Sequence, residues 1–264
     1  MSLTALHRTR CRLIVLVALC AGTAAEGQIA VDRSEMVLRP DSATQRSGVV
    51  MVRNTGRARV GAVIRIEDWD RGADGAHRFY EPGTQPGSCA TVLTVTPTEF
   101  TLAPDESRAV EVGLDGAVRS ACWSVVLIES EERVRDESGT MVLATVRTGM
   151  KVFAEPSDSR AAGEISEVEV EHSEAAHSAS SLAAVTFRNT GDRHLKGAGH
   201  LEIRGTDERV LATVPLPMLQ ALPGAAVTAR VPLPASLRGP VRLRAVVEYG
   251  GASVATSESH TIIP

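Results

Sequence analysis

An all-β fold of two β-sandwiches in tandem is expected from three features of this sequence. Apolar residues come in short β-branched runs, separated by turns that draw on 22 Gly and 13 Pro. Within the runs apolar positions largely alternate, as in Val63-Ile64-Arg65-Ile66-Glu67 and Val110-Glu111-Val112-Gly113-Leu114, the period of a sheet with one buried face. Beyond the N-terminal stretch, no segment sustains a 3.6-residue apolar period for three turns.

The elements follow in order. His7, Arg8, Arg10 and Arg12 precede an uncharged apolar stretch at 13–21, and Gly22-Thr23-Ala24-Ala25 leads to the polar Glu26. That order predicts a secretory signal peptide over 1–25, with an apolar run too short to span a bilayer. Cys20 follows the bulky Leu19, where a lipoprotein cleavage site needs a small residue. Strand-like runs then lie at 29–38, 48–53, 60–69, 92–96, 109–114, 123–128 and 141–153, enough for one sandwich. The polar and rigid Glu155-Pro156-Ser157-Asp158-Ser159 breaks the pattern. A second set lies at 165–170, 182–187, 199–204, 210–214, 226–231, 241–249 and 253–263, with turn signals at Pro223-Gly224 and Tyr249-Gly250-Gly251. The expected organisation is signal peptide 1–25, first sandwich 26–156, linker 157–163 and second sandwich 164–264.

One string occurs twice. Arg53-Asn54-Thr55-Gly56 closes the second strand of the first set, and Arg188-Asn189-Thr190-Gly191 closes the second strand of the other. A motif repeated at the same structural place reads as architecture, with Asn and Gly chosen to tolerate positive φ at a tight strand exit. Neither copy is a glycosylation acceptor, because Gly follows Thr.

Composition narrows the function. Removing Arg8, Arg10 and Arg12 with the signal peptide takes 28 basic residues to 25, against 32 acidic, a formal charge of −7. A mildly acidic surface argues against nucleic acid, whose phosphates need a concentrated basic face. Lys151 and Lys196 are the only lysines. Cys89 and Cys122 are the two cysteines left after signal removal, and in an exported chain an even pair predicts one disulfide.

Chemistry-bearing motifs are absent: there is no Gly-x-Ser-x-Gly, no Gly-rich phosphate loop with its Lys and no His-Glu-x-x-His. Gly197-Ala198-Gly199 lacks the third glycine of a dinucleotide site. Asp68, Asp70 and Asp74 miss the alternating oxygens of an EF-hand loop and read as a solvated connection. His172, His177, His194 and His200 fall at no established zinc spacing and read as surface residues. Glu129, Glu131, Glu132 and Asp136 read as a charged hairpin tip, Trp69 and Trp123 as core anchors. No catalytic residue, metal or cofactor is expected.

Four strings carry a resemblance. They are the first Asn-Thr-Gly strand, Thr94-Val95-Thr96-Pro97-Thr98-Glu99-Phe100-Thr101-Leu102-Ala103-Pro104, Ser120-Ala121-Cys122-Trp123-Ser124-Val125-Val126-Leu127, and Thr148-Gly149-Met150-Lys151-Val152-Phe153-Ala154-Glu155-Pro156. In this order and spacing, residues 29–156 resemble the N-terminal domain of the PapD-like periplasmic pilus chaperones; the second half is similar only in being a sandwich. The resemblance implies two immunoglobulin-like domains, a periplasmic location, pilin-like or other secreted subunits as clients, an outer-membrane usher as a further partner, and no enzymatic activity. It also implies that the last strand of the first domain is lent to a subunit that lacks one, by β-strand addition. Val142, Ala144 and Val146 share one face of that strand and fit two readings, a client's groove or the chain's own core. Family members hold the client's terminal carboxylate with an Arg from the first strand and a Lys from the last. Here those positions carry Glu35 and Gly149. Arg33 and Lys151, two residues away on matching faces, are the nearest basic alternative. The same two residues fit surface ion pairs with Asp32 and Glu35. A structural or adhesive surface module without a client is the competing function, because a sandwich hosts many roles.

Overall fold

A computed structural model describes residues 28–72, 75–135, 138–173 and 180–263. The expected signal peptide, Asp74, Asp136 and His177 lie outside these residues. The described chain is all-β. In the first half, β1 (Ile29–Val31), β3 (Ser47–Asn54), β8 (Ser107–Leu114) and β6 (Leu93–Thr96) form a sheet in that order. Against it lies β2 (Glu35–Leu38), β10 (Met141–Ala154), β9 (Cys122–Arg135), β4 (Val60–Arg71) and β5 (His77–Tyr80), with β7 (Glu99–Leu102) also paired to β4. Pairing of β1-β3-β8-β6 against β4-β9-β10 is the A-B-E-D against C-F-G arrangement of an immunoglobulin-like domain. In the second half, β11 (Gly163–Ser173), β12 (Ser180–Asn189) and β15 (Ala226–Pro232) face β14 (Val210–Ala221), β13 (Leu195–Arg204), β16 (Gly239–Tyr249) and β17 (Ser253–Ile263). This is a second immunoglobulin-like sandwich, with A-B-E against C-F-G and β14 beside C.

Alternation builds both cores. Along β4, Val60, Ala62 and Ile64 are buried while Gly61, Val63 and Arg65 face out. Val50, Val52, Leu102, Val110, Val112, Val126 and Ile128 fill the first core, and Val185, Phe187, Leu201, Ile203, Leu243 and Val247 the second.

Several expectations need correction. The run 29–38 is two strands: β1 pairs antiparallel with β3, and β2 pairs parallel with β10 in the opposite sheet. The chain changes layers at Asp32, whose carboxylate and N–H both bond to the backbone of Met51. β6 likewise gives way to β7 across Pro97, which has no N–H for a ladder. β5 and β7 are short strands that the pattern did not reveal.

The repeated Asn-Thr-Gly is architecture by a different mechanism from positive φ, which neither Asn nor Gly of either copy adopts. Buried Asn54 donates from Nδ2 to the carbonyls of Ala58 (2.7 Å) and Leu102 (3.2 Å), and its Oδ1 accepts from Gly56 N–H (2.9 Å). Buried Asn189 does the same to Arg193 (2.8 Å), Ala221 (2.9 Å) and Gly191 (2.9 Å). Glycine follows because space is short: a Cβ on Gly191 would lie 2.3 Å from the Arg160 carbonyl, and one on Gly56 would lie 2.9 Å from Gln28 Cγ.

The halves meet at a small aromatic junction. Trp69, Val125, Leu127 and Phe153 of the first pack with Leu222 of the second. His194, read from sequence as a surface residue, is instead stacked on Phe153 at 4.0 Å. The chain between β10 and β11 is tied to the first half: Glu155 N–H donates to Leu38 O (2.9 Å), Arg39 donates to Glu155 O (3.1 Å), and Ser157 N–H donates to Asp41 (3.0 Å).

Candidate partner-binding edge

β10 has the β-branched, alternating composition of a strand half-buried over its whole length. On one side it pairs with β9 from Met141↔Arg135 to Ala154↔Cys122. On the other it pairs with β2 only from Lys151 to Ala154. Among the described residues nothing pairs with this second edge over 141–150. The even-numbered side chains face inward. Met150, Val152 and Ala154 are fully buried, Thr148, Val146 and Ala144 are half-buried, and Val142 is 39% exposed. Val142, Ala144 and Val146 therefore lie on the core face, at the end where the opposing sheet has stopped covering it. Across the ladder Val142 pairs with Val134, whereas the other two meet polar residues of β9. Ala144 pairs with Glu132 and Val146 with Ser130, both buried. Glu132 is not part of an exposed turn, as its acidic cluster suggested, but a strand residue that accepts from Gln28 N–H (2.8 Å).

The outward face of β10 carries charge. Arg147 Nε donates to Glu129 (2.8 Å) and its guanidinium reaches Glu67 (3.0 Å), while Arg65 Nε donates to the other oxygen of Glu129 (2.8 Å). The Arg65 hydrogen bond, opposed by burial and reinforced by Arg147, holds the Glu129 carboxyl below the ordinary glutamate range. Gly149 follows. A Cβ there would meet Leu127 and Val125 at 3.4 Å, so little inside the molecule demands a glycine.

Lys151 faces the gap between the sandwiches. Its Nζ lies 5.0 Å from the centre of the Trp69 ring, 3.9 Å from Glu35 and 3.5 Å from Gln220 Oε1 of the second half. Burial lowers its pKa, Arg71 and Lys196 add to the effect, and Glu35 opposes it. Lys196, from β13, also contacts Glu35. Both lysines of the chain thus converge on one carboxylate, one from each sandwich. Lys196 had no role in the sequence reading; the scarcity of lysine was the signal available. Arg33 lies elsewhere, exposed and 3.2 Å from Asp32. No described contact joins it to Lys151.

Cys89 and Cys122 form a disulfide. Beside it Asp68, read as part of a solvated connection, is fully buried and accepts from Thr84 N–H (2.9 Å), Gln85 N–H (3.0 Å) and Ser88 Oγ (2.5 Å). Among the described residues no group of three or more His, Cys, Asp or Glu is placed to hold a metal ion. No described helix is long and apolar enough to cross a membrane.

No protein-family profile matches the chain, and no curated protein matches it. Solved structures do. The chain is similar to the class 5 fimbriae chaperone CfaA (12% identity, 89% of this chain and 100% of that one, TM-score 0.49). It is also similar to a chain of the CsuC–CsuE chaperone–tip subunit pre-assembly complex of Acinetobacter baumannii (12%, 88% and 98%, 0.47). A third is the Pseudomonas aeruginosa CupB2 chaperone (14%, 89% and 100%, 0.44).

Proposed function

We propose that this chain is an exported, non-enzymatic chaperone-like protein that binds pilus or other secreted subunits by adding β10 to a sheet that lacks a strand. The observation that carries this reading is the edge of β10 over 141–150, which pairs with no other strand among the described residues. Along such an edge alternate residues present N–H and C=O groups outward, a template for another chain. A subunit strand laid there satisfies them, and Val142, Ala144 and Val146 enter the subunit's core at every second position. The strings that resemble PapD-like chaperones support the same reading. Residues 1–25 direct export to the periplasm, 26–156 and 164–264 are the two domains, 157–163 links them, and an outer-membrane usher is the second partner. Lys151 and Arg33 hold the subunit's terminal carboxylate, Lys151 from where it stands and Arg33 by turning away from Asp32. Each such charge-assisted bond contributes about 1.5–3 kcal/mol.

Copurification from the periplasm tests the proposal. A pilin-like subunit is expected to come down with the wild type and to be lost with Val142→Asp plus Val146→Asp. Lys151→Ala with Arg33→Ala is expected to weaken binding by at least ~10-fold. A double aspartate variant that retains the subunit would sink strand addition, and a chain that retains no subunit would favour a structural module.

A further inference from the structure

The hairpin of β9 and β10 runs on past the sandwich. β4 stops pairing with β9 at Ser130, and β2 pairs with β10 only from Lys151. Toward the tip, both strands therefore have unpaired outer edges among the described residues. β10 begins there with Met141, Val142 and Leu143, which are 51%, 39% and 64% exposed. Side chains alternate across a strand, so Val142 continues the core face while Met141 and Leu143 lie on the other. A strand with that face in solvent is expected to be polar along it. β10 obeys this at Thr145 and Arg147, the latter occupied by Glu129 and Glu67 of its own chain. Between Thr145 and Leu143 the outer face changes from polar and self-satisfied to apolar and uncovered.

We propose that the subunit pairing with β10 also covers this outer face at Met141 and Leu143, enclosing the start of β10 on both sides. Nearer the sandwich it holds β10 by its edge and inner face alone. The proposal rests on the strand-addition reading. The occupant is the same subunit because the two side chains are continuous with the edge it pairs with. A strand apolar on both faces suits a position between two layers of another protein. The partner this fits is a β-sandwich missing one strand, with a further apolar segment that folds over one end of the gap.

A photoreactive benzophenone amino acid placed singly at 142, 143 or 51 in the native cells tests it. Met51, an exposed apolar residue on the opposite sheet, controls for surface stickiness. The expected result is that 142 and 143 crosslink to the same polypeptide through two different segments of it, and that 51 does not. Leu143→Asp is expected to cut the yield from 142 at least tenfold while the thermal midpoint of the purified protein stays unchanged. Crosslinking at 142 with none at 143 would overturn enclosure and leave strand addition standing. So would capture at 143 of a second copy of this chain, of lipid, or of whatever 51 captures. No crosslink at 142 would count against strand addition, and enclosure would fall with it.

Discussion

The side-chain amides of Asn54 and Asn189 each donate two hydrogen bonds and accept a third while fully buried, so truncation strands two carbonyls and one N–H. Asn54→Ala is expected to cost about 2–4 kcal/mol in urea unfolding, and Asn189→Ala a similar amount, because the partners correspond one to one. The importance of the pair was legible in the repeat. Its mechanism was not, since the acceptors on Leu102 and Ala221 lie 48 and 32 residues away in sequence. Asp68 was harder to read. A carboxylate beside Asp70 and Gly72 looks solvated, and only the folded loop brings three donors onto it. Asp68→Ala is expected to cost about 3 kcal/mol, read as a lower urea midpoint.

Among the elements, the segment carrying Cys89 is closed by two devices, the Asp68 hydrogen bonds and the disulfide to Cys122 across a separation of 33 residues. Cys122→Ser is expected to cost about 2–4 kcal/mol. Combined with Asp68→Ala it should cost less than the sum, because both restrain the same segment. The disulfide was legible from the even pair of cysteines outside the expected signal peptide. A second prediction concerns the outward faces of β4, β9 and β10, where Glu129 sits between Arg65 and Arg147. Its folded pKa is depressed, so its contribution is present above the ordinary glutamate range and is lost as pH falls through the lower folded value. Glu129→Gln should therefore lower the thermal midpoint at pH 7, and the gap to wild type should close as pH falls through that window. A gap that is constant with pH would remove the ion pairs as its cause.

For the whole molecule, the junction decides how the two sandwiches are held. His194 stacks on Phe153, and Arg160, in the connecting stretch, donates to Thr190 O (2.9 Å) and contacts Asp192. A polar linker read from sequence invites proteolysis, but one tied on both sides resists it. Trypsin is expected to cut slowly after Arg160 in the wild type and several-fold faster in His194→Ala, because removing the stacked ring lowers the free energy of local opening. Equal rates would show that the stack does not govern this opening.

Alternation, turn residues, a pair of cysteines and a repeated Asn-Thr-Gly are local properties, and they are enough to specify the all-β class, most of the strands, two sandwiches and one disulfide. What stays uncovered was decided by tertiary structure. Val142, Ala144 and Val146 carry the same alternation as the buried Met150, Val152 and Ala154. They differ only in whether β2 and the opposing sheet reach them. Lys151 and Lys196 meet at Glu35 only because β13 of one sandwich comes to rest beside β10 of the other. A strand's period sets which way a side chain points, but what meets it there depends on chain tens of residues away, which no local pattern encodes.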